Sequence, residues 1–217
     1  MSSYVPSAEA MKFIAFIRAC NVEDNSNPEI HYKLADKYFG EDKQILIEAF
    51  RGSAKSTLME WFVIYIAAMG NLHNFGKVQF IAFIGDSMEN GTKNFFRNVV
   101  GKIDKSELLK QLITVKRKTD SEMELVNADG VELNLKGYGA STNIRGVRYK
   151  GARPDIVILD DITTNDAINS ETIQNTINDN FYKSVIPALH PTRYKIFFIG
   201  TPISERDIIH QLSNNPK

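Results

Sequence analysis

At 217 residues, with 26 Lys+Arg balanced by 26 Asp+Glu, the chain is long enough for one α/β domain with a full core, or for two small ones. The balance excludes a protein whose whole surface attracts polyanions, so any contact with nucleic acid has to be local. A single cysteine, Cys20, excludes an internal disulfide framework and fits a reducing compartment.

The opening MSSYVPSAEA lacks the basic stretch and apolar run of a secretory signal. Apolar residues recur at helical spacing over 8–20, 21–28 is polar and reads as loop, and 29–39 is a second helix. The run QILIEAF (44–50) reads as a strand and STLMEWFVIYIAAM (56–69) as a buried helix, with RGSAKS joining them. The apolar stretch from Trp61 to Met69 is too short to cross a bilayer. VQFIAFIG (78–85) is a second buried strand, and Asp86 or Ser87 caps a helix reaching about residue 100. Residues 112–135 alternate, with turn chemistry at 127–130, which predicts a β-hairpin or small antiparallel excursion. The glycine-rich GYGASTNIRG (137–146) is expected to be loop. DIVILDD (155–161) is a continuous apolar strand ending in two carboxylates, a polar helix covers 170–185, and YKIFFIGTP (194–202) is another buried strand. Strands alternating with helices predict an α/β fold: a mostly parallel central sheet with helices on both faces.

FRGSAKST (50–57) carries the chemistry. A full phosphate-binding loop reads G-x-x-x-x-G-K-[ST]. Lys55 and Ser56 fill its last two places, Ala49 and Ala54 stand where the glycines belong, and Gly52 and Ser53 lie between. The anion is held by backbone N–H groups, the helix N-terminus and the lysine charge. Alanine keeps its N–H, and a left-handed Ala54 costs about 1–2 kcal/mol. The bland reading is an ordinary helix start. Asp160 and Asp161 end a buried strand, where open α/β sheets bind ligands. One carboxylate can hold Mg²⁺ beside the Ser56 hydroxyl and the other can orient or deprotonate water. Two solvated aspartates are the alternative. Loop and pair together, in this order on strand ends, have the layout of a P-loop NTPase of the additional-strand type.

The order of AFRGSAKS, FIAFIGDS, TNIRGVRYKGARPDIVILDD and FFIGTP resembles the ATPase domain of the large terminase subunit, the DNA-packaging motor of tailed phages. The resemblance runs from about Leu46 to about Leu212, and its most specific parts are the I-R-G-x-R element and the G-T-P after the next strand. It implies that Arg51, Gly52, Ser53, Ala54, Lys55, Ser56 and Thr57 bind ATP, with Lys55 on the β/γ-phosphates and Arg51 near the γ-phosphate. Ser56 and Asp160 would hold Mg²⁺, and Asp161 would occupy the catalytic position, where the family commonly has the longer Glu. Gly200, Thr201 and Pro202 would form the coupling motif. Arg145 would enter a neighbour's ATP site, with Arg148 in reserve, and His31 or Tyr32 would lie by the adenine. Implied partners are double-stranded DNA, the portal protein, the small terminase subunit and further copies in a ring, with a monomer when free. No membrane is implied, and the place of action is the host cytoplasm at the procapsid rather than the mature virion.

The expected organisation is a single ATPase domain: a helical part at 1–42, a core at 43–212 and the start of a linker at 213–217, with the family's nuclease domain not included. A helicase-like translocase and a nucleotide-binding scaffold without turnover remain alternatives. Residues 133–154 contain no acid but hold Lys136, Arg145, Arg148, Lys150 and Arg153, which is either a solvated loop or a functional stretch. VKRK (115–118) is a solvated hairpin or a phosphate contact. Cys20, Trp61 and Phe62 read as core, and His73, His190 and His210 lack metal-ligand spacing.

Overall fold

The structure is a computed structural model that describes residues 4–23, 26–163, 170–202 and 208–214. Helix α1 (Ala8–Cys20) begins at Ser7, whose Oγ accepts from Ala10 N at 3.1 Å. Helix α2 (Glu29–Phe39) packs beside it. Both close on α3 (Lys55–Met69) through an aromatic cluster: Phe13 meets Tyr65 at 5.5 Å and Phe39 meets Phe62 at 5.5 Å between ring centroids. Trp61, Phe62 and Cys20 are buried, as expected.

The strands are β1 (Gln44–Glu48), β4 (Phe80–Gly85), β5 (Ile113–Lys118), β6 (Glu122–Asn127), β7 (Glu132–Gly139), β8 (Ile156–Asp160) and β9 (Lys195–Gly200), with β2 (Asn71–Leu72) and β3 (Gly76–Lys77) in a separate short hairpin. The main sheet has the order β1-β9-β8-β4-β7-β6-β5. Pairings from β1 to β7 are parallel and the last two antiparallel. The antiparallel excursion is therefore no appendage: it extends the central sheet. β9 lies between β1 and β8, the inserted strand that defines the additional-strand arrangement.

Alternate residues of the parallel strands face opposite cores. Ile47, Phe83, Ile158 and Phe197 join the core under α1, α2, α3 and α4 (Lys93–Lys105). Ile84, Leu159 and Phe198 join Ile177, Phe181, Val185 and Ile209 on the other face. These last come from α6 (Glu171–Asn180), the π-helical turn Phe181–Val185 that continues it, and α7 (Ile208–Asn214). A short helix, α5 (Glu107–Leu112), precedes β5. Burial on both faces is why these strands read as unbroken apolar runs. Ser213 and Asn214, expected to open a linker, end α7, and 215–217 lie outside the described residues.

One expectation is corrected. Gly137 and Gly139 belong to β7 rather than to a loop. The π-helical turn Met88–Thr92, opened by Ser87, presses on the strand, and a Cβ at Gly137 would stand 2.0 Å from Thr92 Cγ2. Glycine is there to admit a close helix, not to bend the chain. Gly137→Val is expected to cost about 1–3 kcal/mol or more through overpacking, read as a lower denaturant midpoint. Gly101→Ala in α4, where an added Cβ meets nothing within 4 Å, should not lower it.

Candidate active site

At the C-terminal end of β1 the chain turns through residues 49–54 into α3. Ser53 N donates to Phe50 O at 3.2 Å and Gly52 takes φ +87°. Ala54 takes φ 58°, ψ 22°. The left-handed shape that glycine normally supplies is present with alanine, at a cost of about 1–2 kcal/mol. No side chain caps the start of α3, so its first-turn N–H groups face the loop's mouth. Ser53 Oγ is buried without a hydrogen-bond partner among the described residues, a second donor left for a ligand.

Two of the three expected catalytic groups, Lys55 and Asp161, meet here. Lys55, 6 % exposed, donates from Nζ to Thr201 Oγ1 at 2.9 Å and lies 3.2 Å from Asp161 Oδ2. Thr201 Oγ1 donates to Ala49 O at 2.9 Å, and Thr201 N donates to Asp161 Oδ1 at 3.0 Å. Ala49 N donates to Gly200 O at 3.1 Å. The phosphate-binding loop, the second carboxylate and the Gly200-Thr201-Pro202 segment thus form one hydrogen-bonded unit. A Cβ on Gly200 would come 3.0 Å from Ile209 Cδ1, so α7 also bears on it. Asp161 occupies φ 45°, a left-handed position that aspartate tolerates better than most residues.

Ser56 Oγ donates to Asp160 Oδ1 at 3.0 Å. Burial pushes the Asp160 carboxyl up to about 7; the nearby Asp161 charge adds to this, while the Ser56 hydrogen bond and Lys55 oppose it. Two hard oxygen donors this close, beside a phosphate-binding loop, suit Mg²⁺, which favours one or two protein ligands completed by phosphate oxygens and water. Among the described residues, no cluster of three or more His, Cys, Asp or Glu could hold a metal.

The adenine candidates separate. The His31 ring lies near the Ser53 backbone of the loop, with Nδ1 3.3 Å from Asn27 Oδ1, and burial lowers its pKa. The Tyr32 hydroxyl instead accepts from Arg18 at 3.1 Å on α1. Arg51 and Thr57 are exposed at the rim.

Arg145 is not brought to this cluster; it is exposed on the loop between β7 and β8. The other cations of its acid-free stretch are engaged. Lys136 lies 3.6 Å from Glu122 Oε1, Lys150 pairs with Glu132, Arg148 donates to Gly151 O at 2.9 Å, and Arg153 donates to Pro187 O at 3.0 Å. The Arg145 guanidinium makes no hydrogen bond or ion pair among the described residues. In the 115–118 run, Lys116 pairs with Glu132 at 2.9 Å and Arg117 lies 3.7 Å from Glu122, which fits the solvated hairpin.

Strand order, loop and paired carboxylates define a P-loop ATPase fold of the additional-strand type. No family model and no curated protein matches the sequence. The fold is similar to the large terminase ATPase domain of Thermus phage P74-26 (TM-score 0.53, 18 % identity, 92 % of this chain and 71 % of that one). It is similar to the HK97 bacteriophage large terminase (TM-score 0.56, 18 % identity), covering 92 % of this chain and 39 % of that one. The S. cerevisiae Dbp5 protein also aligns (TM-score 0.50, 9 % identity, 97 % of this chain, 50 % of that one). No helix among the described residues is long and apolar enough to cross a membrane.

Proposed function

We propose that the chain is the ATPase motor domain of a large terminase subunit, hydrolysing ATP with Mg²⁺ to drive double-stranded DNA into a procapsid. The observation that carries this reading is the unit of Lys55, Asp161 and Thr201, in which the phosphate-binding lysine, the water-activating carboxylate and the coupling segment touch one another.

The chemistry follows from those contacts. Asp161 Oδ2 lies 3.2 Å from Lys55 Nζ. A γ-phosphate competes for the lysine charge and releases that oxygen to accept a proton from water, which attacks in line to give ADP and phosphate. Asp161 Oδ1 stays fixed by Thr201 N–H, so the base remains oriented. Thr201, bound to both Lys55 and Asp161, feels the same exchange and passes it to Gly200 and Pro202. Ser56 and Asp160 would hold Mg²⁺, which would supply charge neutralisation on the phosphate oxygens. The exposed loop residues Arg51, Gly52 and Thr57, with the amides of Ser53 and Ala54, complete the phosphate cradle, and His31 rather than Tyr32 borders the base.

Arg145, exposed and without a side-chain partner among the described residues, serves the ATP site of the next copy in a ring; such an arginine is worth roughly 10³–10⁵ in rate. The portal, the small terminase subunit and DNA are the partners of the assembled state, in the host cytoplasm, and the free chain is a monomer of weak activity. The described residues form one ATPase domain. Phosphate release from ATP is expected to require Mg²⁺ and to stop on chelation. Release that continues at the same rate with excess chelator would contradict the assignment of Ser56 and Asp160.

A further inference from the structure

The loop that carries Arg145 is fastened to one helix. Ser184, 3 % exposed in the π-helical turn after α6, accepts from Ile144 N at 2.6 Å and from Arg145 N at 3.1 Å. Its hydroxyl donates to Asn143 Oδ1 at 2.9 Å, and Asn143 Oδ1 accepts from Arg145 N at 2.9 Å. One turn earlier Asn180 Nδ2 donates to Ala140 O at 2.7 Å and to Thr142 O at 2.8 Å. Ile144, fully buried, sits in the same core as Phe181 and Val185. The residue before the arginine is thus plugged into the protein, its backbone is pinned, and its side chain is sent outward. π-Helical turns of this kind recur at functional sites.

We infer that Ser184 and Asn180 are positioning residues for Arg145, holding the loop in the geometry in which a neighbouring copy receives the guanidinium. The inference rests on the reading of Arg145 as an arginine that acts between copies. Nothing at Ser184 touches the chain's own phosphate-binding loop, so its loss acts on the neighbour's turnover and spares the subunit's own nucleotide binding. A displacement of about 1 Å at a reacting centre costs on the order of 100-fold, and a pinned loop is how such displacement is avoided on a flexible arginine.

The test is steady-state ATP turnover of full-chain Ser184→Ala and Arg145→Ala, each alone and each mixed with Lys55→Ala, with binding of a fluorescent ATP analogue as a control. Ser184→Ala is expected to lose on the order of 10- to 100-fold in turnover with analogue binding unchanged. Mixed with Lys55→Ala, which has a dead loop but an intact arginine, it should recover well above the sum of the two separate rates. Arg145→Ala should behave alike. Amide hydrogen exchange supplies a readout independent of turnover: Ile144 and Arg145 should exchange faster in Ser184→Ala while β8 is unchanged.

Turnover of Ser184→Ala equal to wild type, beside a crippled Arg145→Ala, overturns the inference alone. So does a Ser184→Ala mixture that stays inactive while the Arg145→Ala mixture recovers, since the serine then acts through something other than the arginine. Full activity of Arg145→Ala itself removes the reading beneath it.

Discussion

Lys55→Ala is expected to reduce ATP turnover by about 10²–10³, the usual effect of removing one preorganised stabiliser of transition-state charge. Nucleotide affinity should fall by about 10- to 100-fold, the equivalent of one charged hydrogen bond of roughly 1.5–3 kcal/mol. The effect is chemical rather than structural. Lys55 pairs with Asp161, whose side chain is 51 % exposed, and a pair open to solvent on one side contributes only about 0–1 kcal/mol to stability. Phosphate release and analogue titration should therefore change steeply while the thermal midpoint moves little. Lys55→Arg is not expected to restore activity, because the lysine threads between Thr201 Oγ1 and Asp161 Oδ2 where a planar guanidinium fork has no matching geometry.

Asp161→Asn separates the second role. The amide retains an oxygen for Thr201 N–H, so the loop stays where it is, but it cannot take a proton from water. Turnover is expected to fall by about 10²–10⁴, the span of a lost general base. Nucleotide binding should be kept or strengthened, since the phosphates no longer compete with a carboxylate for Lys55. Weakened binding in a folded Asp161→Asn protein would show that Asp161 builds the pocket instead of activating water.

Much of this site could be read from sequence because its parts are local. RGSAKS joins a strand to a helix, and DIVILDD shows a carboxylate pair at the end of a doubly buried strand. The two absent glycines did not mislead: Ala54 adopts the left-handed conformation at a modest cost. What local pattern cannot carry is contact between distant segments. GYG reads as a loop because glycine usually marks one, yet Gly137 answers to Thr92, 45 positions earlier in sequence, packed against it. The antiparallel strands look like a free hairpin because nothing local says that β7 pairs with β4. His31 and Tyr32 are neighbours on α2, and only packing directs one to Ser53 and the other to Arg18. Ser184 and Asn180 carry little local signal for the same reason. The one sign available was a small polar residue at position 184 beside Val185, on a helical face that otherwise buries Phe181 and Ala188. Beside the glutamate common in the family that the sequence resembles, Asp161 reads as short for the expected role. Its backbone at φ 45° sets both oxygens on partners, which no side-chain length could reveal.

The central claim is that this loop hydrolyses ATP and that a second copy completes the site. Steady-state ATP hydrolysis per subunit, measured against protein concentration for wild type and Arg145→Ala, tests it most directly. The account predicts that wild-type turnover per subunit rises as copies associate, and that the variant stays low at every concentration while still binding nucleotide. Wild-type turnover that is independent of concentration, or absent throughout while an ATP analogue binds, would contradict it.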